Sequence, residues 1–159
     1  NASRPARRRS KQPPPPPRTT RSPEQVLRLF SPPSGPQGYS FVYLHRSHRL
    51  SHSEVRKAMR DLDVDQSRII DVHFPVKGVV GLLVHDAFAP ELRERLRLAK
   101  IPLQEFDPLN PDHVTAPEFA NKPRTEKVAR ARELYQGRML AACLRMPKAH
   151  LGLAVLQFF

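Results

Sequence analysis

Apolar and polar residues alternate along the 159-residue chain in two different periods, and the points where the period changes mark off its elements. Val26, Leu27, Leu29 and Phe30 give Pro23 to Phe30 a turn or two of helix, which Pro32-Pro33 ends. Tyr39 to His45 is a β-type run built on Phe41, Val42, Tyr43 and Leu44. Ser51-x-x-Glu54 is a capping box, and behind it Val55, Ala58, Met59 and Leu62 recur at i, i+3, i+4 and i+7, the stripe of an amphipathic helix. Asp61 to Ser67 is polar and turn-like. From Arg68 to Phe74 the period drops to two, which puts Ile70, Val72 and Phe74 on one face of a strand. After a turn at Pro75 to Gly78, Val79 to Val84 is apolar almost throughout, as in a central strand with little solvent on either face. Asp86 is placed to cap a second helix with Pro90 in its first turn and Leu92, Leu96 and Ala99 as its buried stripe. Ile101 to Phe106 supplies a last short strand.

The order in residues 39–106 is therefore β-α-β-β-α-β, the split βαβ or ferredoxin-like pattern of the α+β class. Two helices are expected on one face of a four-stranded antiparallel sheet, leaving the other face free for a ligand. Residues 107–123 form a loop carrying Pro108, Pro111, Pro117 and Pro123. From about Arg124 a helix begins, with Val128, Ala131, Leu134, Tyr135, Met139, Ala142, Cys143 and Met146 at helical spacing. Pro147 breaks it, and Lys148 to Phe159 starts another apolar helix.

Charge divides the chain differently. The formal net charge is +12, but residues 39–113 carry 11 basic and 11 acidic groups, while residues 1–38 carry 8 against 1 and residues 114–159 carry 8 against 3. Ten of the 18 prolines lie in residues 1–38, so that segment buries little apolar surface and is expected to be disordered, with Pro13 to Pro17 as a polyproline II rod. Arg4, Arg7, Arg8, Arg9 and Lys11 have no acid near them. Such an arm attracts polyanions through counterion release without reading sequence, and it equally suits a solubilising or nuclear-import tail. An intracellular protein, nuclear or cytoplasmic, is the expectation. The single cysteine excludes an internal disulfide framework, and no apolar run approaches the roughly 20 residues that span a bilayer. No secretory leader is visible; the start at Asn1 and the stop inside an apolar run suggest a fragment of a longer product.

A βαββαβ module of this size resembles the RNA recognition motif, a family that stacks bases on sheet aromatics. Val42-Tyr43-Leu44-His45 is similar to the first of its two strand motifs, with Tyr43 at the stacking position. Lys77-Gly78-Val79-Val80-Gly81-Leu82-Leu83-Val84 resembles the second only at its start, because Val79 and Gly81 stand where aromatics are needed. A longer resemblance covers roughly Tyr39 to Phe159. Arg68-Ile-Ile-Asp-Val-His-Phe-Pro, Gly78-Val-Val-Gly-Leu-Leu-Val-His and Glu105-Phe-Asp-Pro-Leu look like Gag-like regions of fungal retrotransposons. That resemblance implies RNA binding and help in assembling a ribonucleoprotein, without a zinc knuckle or a polymerase in these residues.

Candidate chemistry is sparse. His45, His48 and His52 with Glu54 have the residue types of a zinc site, but they span strand, loop and helix start, and the capping box already explains Glu54. Solvated loop histidines, or phosphate contacts beside Arg46 and Arg49, fit the spacing better, and protonation would strengthen the latter. Asp61-x-Asp63-x-Asp65 opens like a calcium loop but has Gln66 and Val72 where Gly and Glu are required. No nucleophile elbow or P-loop occurs, so no enzyme activity and no cofactor are expected. Lys122, Arg124, Lys127, Arg130, Arg132 and Arg138 are further phosphate candidates, since Lys127, Arg130 and Arg138 share one broad helix face, although Glu126 and Glu133 dilute its charge. With Lys77 these groups make the sequence read as a non-enzymatic nucleic-acid-binding protein, RNA ahead of DNA, with no membrane partner and a homo-oligomer as a further option. The alternative is a self-assembly module that packs through an apolar sheet face and the C-terminal run Leu151, Leu153, Val155, Leu156 and Phe158.

Overall fold

The computed structural model describes residues 21–32 and 37–159. The chain separates into two units between residues 34 and 35. In the first, α1 (Pro23–Phe30) starts at a capping box in which Ser22 and Gln25 satisfy each other's backbone N–H groups. Its Leu27, Leu29 and Phe30 are exposed.

The second unit follows the expected order as far as the second helix: β1 (Tyr39–His45), α2 (His52–Asp61), β2 (Ile69–His73), β3 (Val79–His85) and α3 (Ala89–Leu98). The three strands form one antiparallel sheet in the order β1-β3-β2. The most apolar run, β3, takes the central place, and Leu82, Leu83 and Val84 are 0 % exposed.

The expected fourth strand is not formed. Within Ile101–Phe106 there is one bridge, Leu103 to Leu44, and one ladder bond, from Gln104 N–H to Tyr43 O at 2.9 Å. Pro102 has no N–H to donate, and Lys100 enters the segment at φ 58, so the run cannot hold an extended ladder. The architecture is thus a three-stranded α+β unit.

One sheet face behaves as the periodicity predicts. Val42, Leu44, Val72, Val80, Leu82 and Val84 pack with Val55 and Met59 of α2 and Leu92 and Leu96 of α3. Each such side chain contributes roughly 2 kcal/mol by leaving water. Three details differ. Ala58 and Ala99 are exposed, outside the stripes in which α2 buries Val55 and Met59 and α3 buries Ala89, Leu92 and Leu96. Asp86 does not cap α3; Phe88 occupies that position, and the Asp86 carboxylate accepts from the Ser40 hydroxyl instead. A register shift between Ile69 and Asp71 moves Ile69 onto this face and turns Ile70 to the other.

The second face is covered, which corrects the expectation of a free ligand surface. Residues 107–123 contain two short 3₁₀ turns, Pro111–His113 and Pro117–Phe119, and lead into α4 (Arg124–Arg145) and α5 (Ala149–Phe158). Met139, Cys143, Met146 and Val155 pack with Leu83, and Tyr39, Phe41, Ile70 and Tyr135 extend that cluster. The apolar stripe of α4 needs a partner, and the sheet provides it. Arg145 Nη2 donates to the buried Asp71 carboxylate at 2.9 Å and pins the end of α4 to β2.

Gly81 makes this face possible. A Cβ there would come 2.5 Å from His73 Nε2 and 2.8 Å from Tyr43 Cε1, so the two rings lie where a side chain would be. Gly81→Ala is expected to lower stability by roughly 2 kcal/mol through overpacking, measured as a shift in the urea midpoint at unchanged slope.

Candidate nucleic-acid interface

Two clefts flank the β2–β3 turn, and Lys77 lines both. Gly78 takes φ 83, a conformation that favours glycine, and turns the chain back immediately after Lys77. Gly78 O also accepts from Arg46 N–H at 2.8 Å, which carries the β1–β3 pairing one step beyond the strand and brings the β1–α2 loop against the turn.

The larger cleft, about 1120 Å³, is lined by His45, Arg46, His48, Arg49, His52 and Lys77 together with Phe74 and Glu54. Arg46 stands over the Phe74 ring at 4.6 Å, and His52 meets the same ring edge-on at 5.1 Å. Both groups are thereby held at the wall of the cleft. Glu54 is the one lining carboxylate, and it accepts from Ser51 N–H at 2.7 Å and Ser51 Oγ at 2.8 Å. These hydrogen bonds hold its carboxyl below the ordinary range, so it remains charged but engaged with its own helix end. Among the described residues, Arg46, Arg49 and Lys77 make no ion pair. The three imidazoles do not converge: among the described residues no group of His, Cys, Asp or Glu is placed to hold a metal ion.

Tyr43 is no open stacking platform. It stacks with Phe41 at 5.6 Å, meets Phe106 edge-on at 4.9 Å and lies under α4, and burial pushes its phenol well above the usual range. Beside it His73 stacks on Phe41 at 4.5 Å, is 8 % exposed, and has no hydrogen-bond partner on either ring nitrogen. Burial first, then the positive charges of Arg138 and Arg145, lowers its pKa to about 4.

The cations of α4 and the residues just before it are mostly engaged. Lys122 pairs with Glu126 at 3.2 Å, Arg124 lies 4.0 Å from Asp112, Arg130 pairs with Glu133 at 3.0 Å, and Lys127 donates to Ala120 O at 3.2 Å. Arg138 differs: it is half-buried, makes no ion pair among the described residues, and lines the smaller cleft. Arg4, Arg7, Arg8, Arg9 and Lys11 lie outside the described residues. The structure therefore brings Arg46, Arg49 and Lys77 together and adds Arg138 across the turn, while Lys122, Arg124 and Arg130 stand in local ion pairs and Arg132 is exposed without one among the described residues.

His73, Gln104, Phe106 and His113 carry no signal in the periodicity, since each takes its place through packing of the 104–116 segment or α4. Comparison of the chain with protein-family models, with curated proteins and with solved structures finds no match.

Proposed function

We propose that this chain is a non-enzymatic nucleic-acid-binding protein that grips the phosphate backbone. The observation that carries this reading is the larger cleft, where Arg46, Arg49 and Lys77 share a wall with three histidines and face a single, engaged carboxylate. Uncompensated cations in a concave surface raise the local concentration of a polyanion and release its counterions on binding. RNA is placed ahead of DNA by the resemblance to retroelement Gag-like regions. A ferredoxin-like origin of the unit is part of the same proposal, because the Leu44–Leu103 bridge sets residues 101–106 at the outer edge of β1, where a fourth strand of that fold belongs.

Filter binding of single- and double-stranded RNA and DNA at two salt concentrations tests the reading. Affinity is expected to fall steeply with salt, and removal of residues 1–22, with their seven Arg and Lys, to flatten the slope. Salt-independent binding, unaffected by that deletion, overturns it. A self-assembly reading is favoured by one observation, the exposed Leu140, Leu144, Leu153, Leu156 and Phe158 of α4 and α5. Its apolar sheet face is now accounted for by those same helices. Concentration-dependent light scattering without nucleic acid, paired with absent RNA binding, would select it.

A further inference from the structure

With Tyr43 buried and its sheet face covered by α4 and α5, a flat surface for a nucleic-acid base has to lie outside the sheet. The smaller cleft, about 580 Å³, is lined by Gln104 and by Phe106 and His113, whose rings stack on each other at 4.7 Å. The larger cleft keeps a planar group of another kind at its wall. Arg46 Cζ stands 4.6 Å from the centre of the Phe74 ring, and His52 meets the edge of the same ring at 5.1 Å. Phe74 is half-buried and packed against the core, so it is a fixed backing.

One side of the Arg46 guanidinium is thereby occupied. The rest of the group lines the cleft, is half-exposed, and makes no hydrogen bond or ion pair among the described residues. The main chain is fixed at the same point by the bond from Arg46 N–H to Gly78 O. A guanidinium held against a ring has given up rotamer freedom before any ligand arrives, and its plane suits a second flat partner. Phosphate oxygens take its N–H groups at the rim of that plane, whereas a base takes its face. In a duplex every base is paired and stacked between neighbours; a single strand can turn one out.

We propose that the larger cleft selects single-stranded over duplex nucleic acid by stacking one unpaired base on the Arg46 guanidinium, with Phe74 as its backing and with Arg49 and Lys77 on the flanking phosphates. The inference rests on the phosphate-binding reading above and adds strand selectivity to it. Phosphate contacts alone act in the other direction. A duplex carries its charge more densely and releases more counterions per contact than a single strand, so cations without a stacking surface favour the duplex.

A twelve-nucleotide RNA of mixed sequence, alone or annealed to its complement, is titrated against the whole native chain and against Arg46→Lys, whose thermal melt establishes that it is folded. Lysine keeps the charge and the backbone bond to Gly78 but has no plane. The substitution is expected to weaken the single strand about tenfold beyond whatever it does to the duplex, the worth of one stacked base, and to leave the salt slope unchanged. Without any substitution, an abasic strand of the same length, which keeps its phosphates and has nothing to stack, is expected to bind the native chain about tenfold more weakly than the intact strand. Equal losses on single strand and duplex in Arg46→Lys, no loss on either, or equal affinity for the abasic and intact strands overturns the inference. Steep salt dependence in that case would still stand for the phosphate reading, whereas salt-independent binding of both forms would end both.

Discussion

Acidification from pH 7 to pH 4 is expected to remove about 3 kcal/mol of folding stability at His73 alone. In the unfolded chain this imidazole takes up its proton near the ordinary value of 6.5, while in the folded chain it does so only near 4. Below pH 6.5 the unfolded state therefore binds more protons than the native one. The contribution of neutral His73 is complete above that pH and is lost as pH falls toward 4. The cause is local: the ring stacks on Phe41, neither nitrogen has a partner, and a proton there would face Arg138 and Arg145 of α4, with His52 adding to the repulsion. Urea denaturation at pH 7 and pH 4.5 measures the effect. His73→Leu, whatever it does to stability at neutral pH, should flatten the difference between the two by about 2.5 kcal/mol. An unchanged pH dependence in that variant would place the acid sensitivity elsewhere.

Combined replacement of Arg46, Arg49 and Lys77 by Gln is expected to weaken RNA binding about fiftyfold near physiological salt and to lower the salt slope by about 2, as follows when three phosphates of a single strand are no longer neutralised. The fold should be little affected. Arg49 and Lys77 are exposed and none of the three makes an ion pair among the described residues, while Arg46 gives up a cation–π interaction with Phe74 worth about 1 kcal/mol or less. The same number of substitutions at the start of α4, at Lys122, Arg124 and Arg130, is expected to change affinity less, because each stands within 4.0 Å of a carboxylate, Glu126, Asp112 or Glu133, that offsets its charge. A reversed ranking of the two triple variants would move the interface from the loop cleft to the helix.

The local elements were legible in the chain because period and caps are local properties. Ser51 and Glu54 form the box that their spacing predicts, and Val55, Met59, Leu92 and Leu96 are buried as their stripes require. Tertiary features were less legible. Period two places Ile70 with Val72, and only the register shift against β3 separates them. The Ile101–Phe106 run has strand composition, but Pro102 and the turn at Lys100 limit it to one bridge. Above all, the pattern shows that α4 has an apolar stripe without showing what covers it; that the stripe lies on the sheet decides that Tyr43 is packed rather than presented. For the candidate site, clustering of Arg46 and Arg49 follows from their two short intervening residues, whereas the approach of Lys77 depends on the β1–β3 register and the glycine turn. Gln104, Phe106 and His113 converge only through folding of the 104–116 segment, which no spacing rule describes.

The register shift in β2 has a consequence at the margin of the sheet. With the order β1-β3-β2, the second strand is an outer one, whose outward N–H and C=O groups are a template for pairing with a foreign strand. The extra residue bends that margin at Ile69–Asp71, and Pro75 follows two residues after the strand ends. On the opposite side, the proline-bearing segment around Leu103 lies along β1 without continuing its ladder. Both rims are thereby guarded against intermolecular β-addition.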